Sequence, residues 1–347
     1  MKKSLIVDRI SDCIGQTPLL RIRSPKSPAT LLLKLEMFNP NHHMKDRMAR
    51  HMIDNAEKKG LLKPGGTIVE STSGNTGTGL AMIAAERGYQ FIAIMDDHAS
   101  KHKEISISAY GAKVLRIKSE DSGPATHLRV ATAHKMAIDN PSIYWTEQHN
   151  NLANADAYSV LADELLAELP KIDVFISAIG TGGSLCGTSR RLKKTLPNLI
   201  TIGVEPEGSI VFGGEGKPYY QSGTGTPAKI PVGDVVDYST INEGLKVSDH
   251  QAFNTARYLA KAYGLLIGGS AGGVLYRAIK YLEACKKPLT IVSIIADGGE
   301  KYLDTIFNND WMEEHNLLDY SIEQEIEAII GRVNSTPIHY NREAKYA

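Results

Sequence analysis

Short apolar runs alternate with longer amphipathic stretches along most of the chain. Thr67–Ser71, Phe91–Asp96 and Lys113–Ile117 are compact, rich in aliphatic and β-branched residues, and predict strands. Between them, Gly77–Arg87 and Ser100–Tyr110 carry a helical pattern and are closed by Gly88 and Gly111. Strands that are apolar throughout suit a parallel sheet covered on both faces, so the segment reads as a β-α-β-α-β unit. The rhythm resumes with helix Asp156–Leu169, strand Val174–Ala178, helix Leu185–Leu196 and strand Thr201–Glu205. It continues with helix Gln251–Tyr263, a short strand Leu265–Ile267, helix Val274–Cys285 and strand Thr290–Ala296. Strands alternating with helices predict the α/β class.

Two regions break the pattern. Gly208–Val232 is rich in Gly and Pro, carries Tyr219 and Tyr220, and reads as a long loop of the kind that often serves function. From about Ser335 the chain is polar, and a peripheral tail is expected there. No repeat at solenoid periods is visible.

Composition narrows the function classes. At roughly 150 residues per domain, 347 residues suggest two domains. Lys+Arg and Asp+Glu both number 39, so the basic excess of a nucleic-acid binder is missing. Cys13, Cys186 and Cys285 are widely spaced and form no CxxC pair. Neither a zinc site nor a disulfide framework is indicated, and free thiols in a reducing cytoplasm are the expectation. The apolar run Leu5–Val7 is interrupted by Asp8 and Arg9, which is too short for a signal peptide. No apolar run approaches the roughly 18 residues of a membrane span.

The candidate chemistry lies in three glycine-rich loops: Ser73–Gly77, Gly180–Ser184 and Gly268–Gly273. Each is expected to follow a strand and precede a helix, the position where ligands collect in open α/β sheets. Backbone N–H groups and the positive end of a following helix favour an anion there. The 180–184 loop has no Lys or Arg, so a phosphate would rest on backbone N–H groups and the hydroxyls of Thr181 and Ser184. Neither GxGxxG nor GxxxxGK[ST] occurs, which weakens NAD and ATP readings. Lys45, in Asn39-Pro40-Asn41-His42-His43-Met44-Lys45-Asp46-Arg47, reads by itself as a surface lysine at a helix start.

Taken in order, these segments resemble the cysteine synthase and cystathionine β-synthase family of pyridoxal-phosphate (PLP) enzymes, the tryptophan-synthase-β-like fold type II. The resemblance runs from about Ser11 to about Trp311. Ile14-Gly15-Gln16-Thr17-Pro18-Leu19 resembles the opening motif, and Lys34-Leu35-Glu36 with Asn39-Pro40 and Lys45-Asp46-Arg47 the cofactor-lysine motif. Glu70–Gly77 resembles the substrate-carboxylate loop, Gly180–Ser184 the phosphate loop and Gly268–Gly272 the pyridine-nitrogen loop.

The resemblance implies roles residue by residue. Lys45 carries PLP and, once freed, removes the substrate's α-proton. Asn75 bonds the ring hydroxyl. Gly180, Thr181, Gly182, Gly183 and Ser184 cradle the phosphate, and Ser270 partners the pyridine nitrogen. Thr72, Ser73, Thr76 and Gln148 hold the substrate carboxylate. Without the resemblance, Asn75 reads as a turn residue, Ser270 as a helix cap and Gln148 as a polar loop residue. A neutral serine at the ring nitrogen moderates the electron sink and favours loss of a β-substituent. The implied reaction is β-elimination from serine, O-acetylserine or O-phosphoserine to an aminoacrylate, then addition of a nucleophile to give cysteine, cystathionine or another β-substituted alanine. The alternatives are a serine/threonine dehydratase of the same fold, an aminocarboxyethyl-glutamate-type synthase using an amine, and a non-catalytic relative.

The implied architecture has two domains, each a mostly parallel twisted sheet covered by helices, with PLP in the cleft between them. A small substrate-carboxylate-binding domain spans 46–150. Residues 11–45 plus 151–325 form the large PLP-binding domain, and 326–347 a peripheral tail. A cytoplasmic homodimer acting on small amino acids, without nucleic acid or membrane, follows from the resemblance.

Three features depart from the family. His42 and His43 stand where relatives usually carry small residues, and one of them is expected to bond the phosphate or an incoming acidic group. Glu243 in Ile241–Leu245 reads either as a solvated carboxylate or as a selector for a cationic second substrate. Glu207–Ile210 looks closer to cystathionine β-synthases, and Tyr302-Leu303-Asp304 with Trp311 to the aminocarboxyethyl-glutamate synthases. Neither a heme-binding extension before residue 11 nor nucleotide-sensing domains after Trp311 are expected.

Overall fold

The computed structural model describes residues 6–72, 74–97, 101–118 and 125–333. In chain order the elements begin with β1 (Leu19–Arg23), β2 (Thr30–Leu35), α1 (Lys45–Lys58), β3 (Thr67–Ser71), α2 (Asn75–Arg87), β4 (Gln90–Asp96) and α3 (Lys101–Ala109). Then come β5 (Lys113–Ile117), α4 (Thr126–Asp139), β6 (Ile143–Trp145), α5 (Ala153–Asp156), α6 (Ser159–Glu168), β7 (Val174–Ala178), α7 (Gly183–Thr195) and β8 (Ile200–Pro206). The last are β9 (Glu243–Val247), α8 (Asp249–Tyr263), α9 (Gly269–Ala284), β10 (Thr290–Ile295), α10 (Asn309–Glu314) and α11 (Tyr320–Ile330).

They form two sheets. The four-stranded sheet has the order β5-β4-β3-β6 and is parallel throughout. The six-stranded sheet has the order β1-β2-β10-β7-β8-β9, parallel except for the β1–β2 pair. Strand order reverses beside β3 and β6 in one sheet and between β7 and β10 in the other. Such reversals open crevices at the carboxyl ends of strands, and the glycine loops after β3 and β7 sit there.

Both faces of each sheet are covered. One core joins Leu31, Leu33, Val174 and Ile291 to α8, α9 and α11, and a second joins Phe175, Val292 and Ile294 to α1, α6 and α7. Helix α1 serves both sheets: Met48 and Met52 pack on the larger, Ala49, Ile53 and Ala56 on the smaller. The start of α1 is held by a buried ionic network. Arg47 donates from Nε and Nη2 to Glu36 (2.6 and 2.8 Å) and from Nη1 and Nη2 to Glu164 (2.7 and 2.9 Å). Lys34 Nζ lies 2.6 Å from Glu164 and donates to the Thr17 carbonyl. The opening motif completes it, with Thr17 Oγ1 donating to Glu36 and the Gln16 N–H to Glu164.

Several expectations need correction. The helix expected over Asp156–Leu169 is two, α5 and α6, because the chain turns at Ala157 and Tyr158. The strand expected at Leu265–Ile267 is missing: α8 closes at Gly264 in the left-handed conformation, and only an isolated bridge from Ile267 to Gly298 follows. The Gly268–Gly273 loop therefore follows a helix, not a strand. The helices after the glycine loops start earlier than their apolar patterns, at Asn75, Gly183 and Gly269, because glycines occupy their first turns. The tail expected from 326 begins too early, since Ile326, Ile329 and Ile330 of α11 are buried in the core. Ser73, Ser100 and 334–347 lie outside the described residues.

Removing one partner from a buried ion network leaves the others uncompensated. Arg47→Ala is expected to lower unfolding free energy by about 3–5 kcal/mol, read as a reduced urea midpoint.

Candidate active site

Three helices begin at the glycine loops, and their N-caps are all glycine: Gly74 for α2, Gly182 for α7 and Gly268 for α9. None of these ends is capped by its N-cap side chain. The first-turn N–H groups of a helix have no intrahelical partner, so each end is a potential anion site. Gly182 has φ +90°, and a Cβ on Gly183 would lie 2.1 Å from Asn154 Oδ1, so larger residues would collide there. Asn154 Nδ2 donates to Thr181 Oγ1 (3.0 Å) and to the Gln148 carbonyl (2.7 Å), joining the loop after β7 to the turn after β6. Thr181 and Ser184 are buried. The long loop backs this site: the Gly225 N–H and the Thr224 hydroxyl both donate to the Ile179 carbonyl.

At the start of α2, Thr72 Oγ1 accepts from the Gly74 and Gly77 N–H groups at 3.1 and 3.0 Å. The Thr76 hydroxyl donates to Gln148 Oε1 (2.8 Å), and Gln148 Nε2 donates to the Ser71 carbonyl (2.9 Å). These residues are therefore already bonded to one another. Behind them Glu70, buried, accepts from the Thr146 hydroxyl (2.5 Å) and the Gln148 N–H (3.1 Å). Burial pushes its carboxyl up to about 7 against these hydrogen bonds.

Lys45 is the first residue of α1. Its ammonium has no hydrogen-bond or ion-pair partner among the described residues. Burial lowers it to about 8, while the charge of Asp297 opposes the shift. A cation at a helix N-terminus is further disfavoured by the helix dipole. Asn75 Nδ2 donates to Asp297 Oδ2 (2.9 Å), and Asn75 Oδ1 is buried without a partner. Ser270 is buried in the first turn of α9, and its hydroxyl has no partner among the described residues. It is not the cap of that helix, since Gly268 occupies the cap position.

Continuous contacts thus link most of the residues singled out from the sequence. Asp297 touches Asn75 and the approach to Lys45, while Thr76, Gln148, Asn154 and Thr181 form a second hydrogen-bonded chain. The histidines behave otherwise. His43 is buried, with Nε2 2.7 Å from Thr78 Oγ1 and Nδ1 3.5 Å from Asp46. Burial, with Lys301 beside it, holds its ring well below the usual pKa. A neutral, enclosed ring does not meet an incoming acid. His42 is exposed, and only its backbone carbonyl engages the site, accepting from the Gly298 N–H and Lys301. Glu243 is exposed at the start of β9, the end of the sheet away from the loops, which leaves it a solvated carboxylate.

A family model described as pyridoxal-phosphate dependent enzyme matches residues 10–297. The chain belongs to this family. A putative cysteine synthase of Sinorhizobium fredii is 49% identical over 321 residues, covering 92% of this chain and 96% of that protein. A hydrogen sulfide-producing enzyme from Fusobacterium nucleatum has TM-score 0.81 and 35% identity over 86% of this chain and all of that one. An O-acetylserine-dependent cystathionine beta-synthase from Helicobacter pylori has TM-score 0.80 and 31% identity, covering 87% and 99% of the two chains.

The residues fit the PLP cofactor of this family. A desolvated amine without a partner suits imine formation. The uncapped start of α7, free of Lys and Arg, suits a phosphate. Two groups without partners, Asn75 Oδ1 and the Ser270 hydroxyl, suit polar atoms of an aromatic ring. Asp297, Lys103 and Asn154 were not singled out from the sequence, and Glu70 entered only as the first residue of the carboxylate-loop motif, with no role assigned. The available signal was an acid directly after an apolar strand, at Asp297, and one inside a strand, at Glu70.

The pH dependence of Glu70 has a definite sign. Its folded pKa is raised, so its contribution to stability is complete below about pH 4.5 and is lost as pH rises through about 7. Glu70→Gln is expected to gain on the wild type by on the order of 2–3 kcal/mol between pH 5 and pH 8, measured by denaturation at both values.

Proposed function

We propose that the protein is a β-replacement synthase. It removes the β-substituent of a serine-type donor (serine, O-acetylserine or O-phosphoserine) and adds a nucleophile, forming cysteine, cystathionine or another β-substituted alanine. The observation that carries this reading is the unpartnered Lys45 amine, lowered to about 8, in a site where a serine hydroxyl opens α9. The O-acetylserine-dependent relative supports the donor class.

When bound, PLP supplies the electron sink that lets the α-proton and the β-substituent leave. Lys45 Nζ is the base: with its pKa near 8 it takes the α-proton close to neutral pH. The N–H groups opening α7, with Thr181 and Ser184, would hold the phosphate without a side-chain cation. Asn75 would bond the ring hydroxyl and Ser270 the ring nitrogen. The N–H groups opening α2, with Thr72, Ser73, Thr76 and Gln148, hold the donor's carboxylate. Thr72 Oγ1 accepts two N–H groups and keeps its own proton to donate. Gln148 Nε2 has one hydrogen beyond the one given to Ser71. The two sheets are read as two domains, 46–150 and 11–45 with 151–325. Closure of one on the other would exclude water from the site during the reaction. A cytoplasmic homodimer belongs to the same reading.

The test adds each donor to the holoprotein and follows the visible cofactor band, then adds sulfide, a thiol amino acid or an amine and identifies products by mass. The expected result is a band change with a donor and its reversal by a nucleophile, with a β-substituted alanine formed. Full-rate release of pyruvate and ammonia without a nucleophile would make the protein a dehydratase instead. Lys45→Ala is expected to fold normally by circular dichroism and to lose about 10²–10⁴-fold in turnover.

A further inference from the structure

Asp297 stands at the carboxyl end of β10 and is 2% exposed. Its Oδ2 accepts from Asn75 Nδ2 (2.9 Å) and from the Tyr302 hydroxyl (2.8 Å), while Oδ1 is buried with no hydrogen bond. Leaving such an oxygen unpaired costs about 1–3 kcal/mol, and a group of this kind calls for an explanation. Asp297 is also fixed to the segment that leads into Lys45. It bridges to His43, the Met44 N–H donates to the Ala296 carbonyl (2.8 Å), and the Gly298 N–H donates to the His42 carbonyl (3.1 Å). A Cβ on Gly268 would lie 2.1 Å from Asp297 Oδ1, so the carboxylate also packs against the cap of α9. One side chain therefore adjoins the starts of α2 and α9 and the approach to α1.

We propose that Asp297 is a positioning residue that fixes the Asn75 amide and supplies the counter-charge for a proton carried on the Lys45 nitrogen. The proposal rests on the reading of Lys45 as the cofactor lysine. A carboxylate oxygen only accepts, so Asp297 holds Nδ2 of Asn75 on its own side. That leaves Oδ1 of Asn75, buried and unpartnered, on the side away from Asp297. The second effect is electrostatic. Asp297 faces two buried amines, Lys45 and Lys103, and forms an ion pair with neither. Lys103 Nζ donates to Ser222 Oγ (2.9 Å) and lies 5.1 Å from the centre of the Tyr302 ring. The other groups facing these amines are His43 and His149, both held neutral by burial, and Lys301, whose charge opposes a further cation. Asp297 is the anion whose field favours a proton on both amines.

The test is Asp297→Asn, an isosteric change that removes the charge and lets the side chain donate as well as accept. The visible band of the bound cofactor is titrated with pH in the holoprotein, and borohydride reduction with peptide mapping locates the cofactor. With Lys45 tagged, the variant's titration midpoint is expected about one unit below that of the wild type. Tyr302→Phe keeps the charge and removes a donor from it, so its midpoint is expected to rise. Superimposable titrations of wild type and Asp297→Asn overturn the proposal, as does a fall in Tyr302→Phe equal to that in Asp297→Asn. If Asp297→Asn does not fold, an unchanged midpoint in Tyr302→Phe overturns it. A borohydride tag on a residue other than Lys45 overturns the underlying assignment instead.

Discussion

The bidentate contacts of Arg47 with Glu36 and Glu164 govern where Lys45 can be. Arg47 follows Lys45 by two residues in the first turn of α1, so fixing its guanidinium fixes the start of that helix. Glu36 follows β2, Glu164 belongs to α6, and Lys34 from β2 lies against Glu164. Sheet and helices thus meet at one guanidinium. An apolar core could hold α1 as strongly, but it would not set the helix's rotation as narrowly as a planar fork on two carboxylates. Rotation matters here because one face of α1 packs on each sheet and Lys45 is its first residue.

The same economy of charge shapes the glycine loops. Burying a phosphate or a carboxylate needs compensation, and the compensation on offer is the open ends of α2, α7 and α9. Glycine at each cap position supplies no side-chain cap, so the first-turn N–H groups are met only in part, by the neighbouring hydroxyls of Thr72 and Thr181. The packing shows a further reason for glycine at Gly183 and Gly268: each lies against a polar side chain, Asn154 in one case and Asp297 in the other. Glycine there lets the site's own polar groups come close as well as a ligand.

The strands β3, β4, β7, β8 and β10 were legible because burial on two faces writes a nearly continuous apolar run, and the edge strand β5 because its short aliphatic segment follows a helix closed by glycine. Among the described residues four strands escaped notice, and β2 did so despite its buried aliphatic run, because Lys34 and the motif that follows it drew attention to chemistry, while its partner β1 is a sheet edge. β6 is three residues long and only partly buried, and β9 lies on the edge with two exposed residues. Helix α1 was hidden inside a motif whose residues attracted attention as chemistry. The error at Leu265–Ile267 came from reading an apolar triplet as a strand, when Gly264 had left too few residues to pair. In the site, motifs pointed to Lys45, Asn75, Thr181 and Ser270 because each belongs to a short contiguous segment. Asp297, Lys103 and Asn154 were not legible, since their contacts arise only on folding. Asp297 meets Asn75 across 222 positions and Lys103 meets Ser222 across 119.

A phosphate held by helix ends has a consequence for the lysine that a phosphate held by arginine would lack. The field of a helix end fades within about one turn, whereas a full side-chain charge in a poorly screened interior reaches further. A cation brought near Lys45 would lower its affinity for a proton still more, beyond the value near 8 at which burial, opposed by Asp297, already leaves it. With that loop free of cations, the proton balance of Lys45 is left to the groups that face it: Asp297 pulling one way, burial the other. In the proposed role of a base that takes a proton and gives it up again, Lys45 needs those two influences to stay close to balance. The absence of Lys and Arg from the loop and the burial of an acid at 297 are therefore two sides of one electrostatic arrangement.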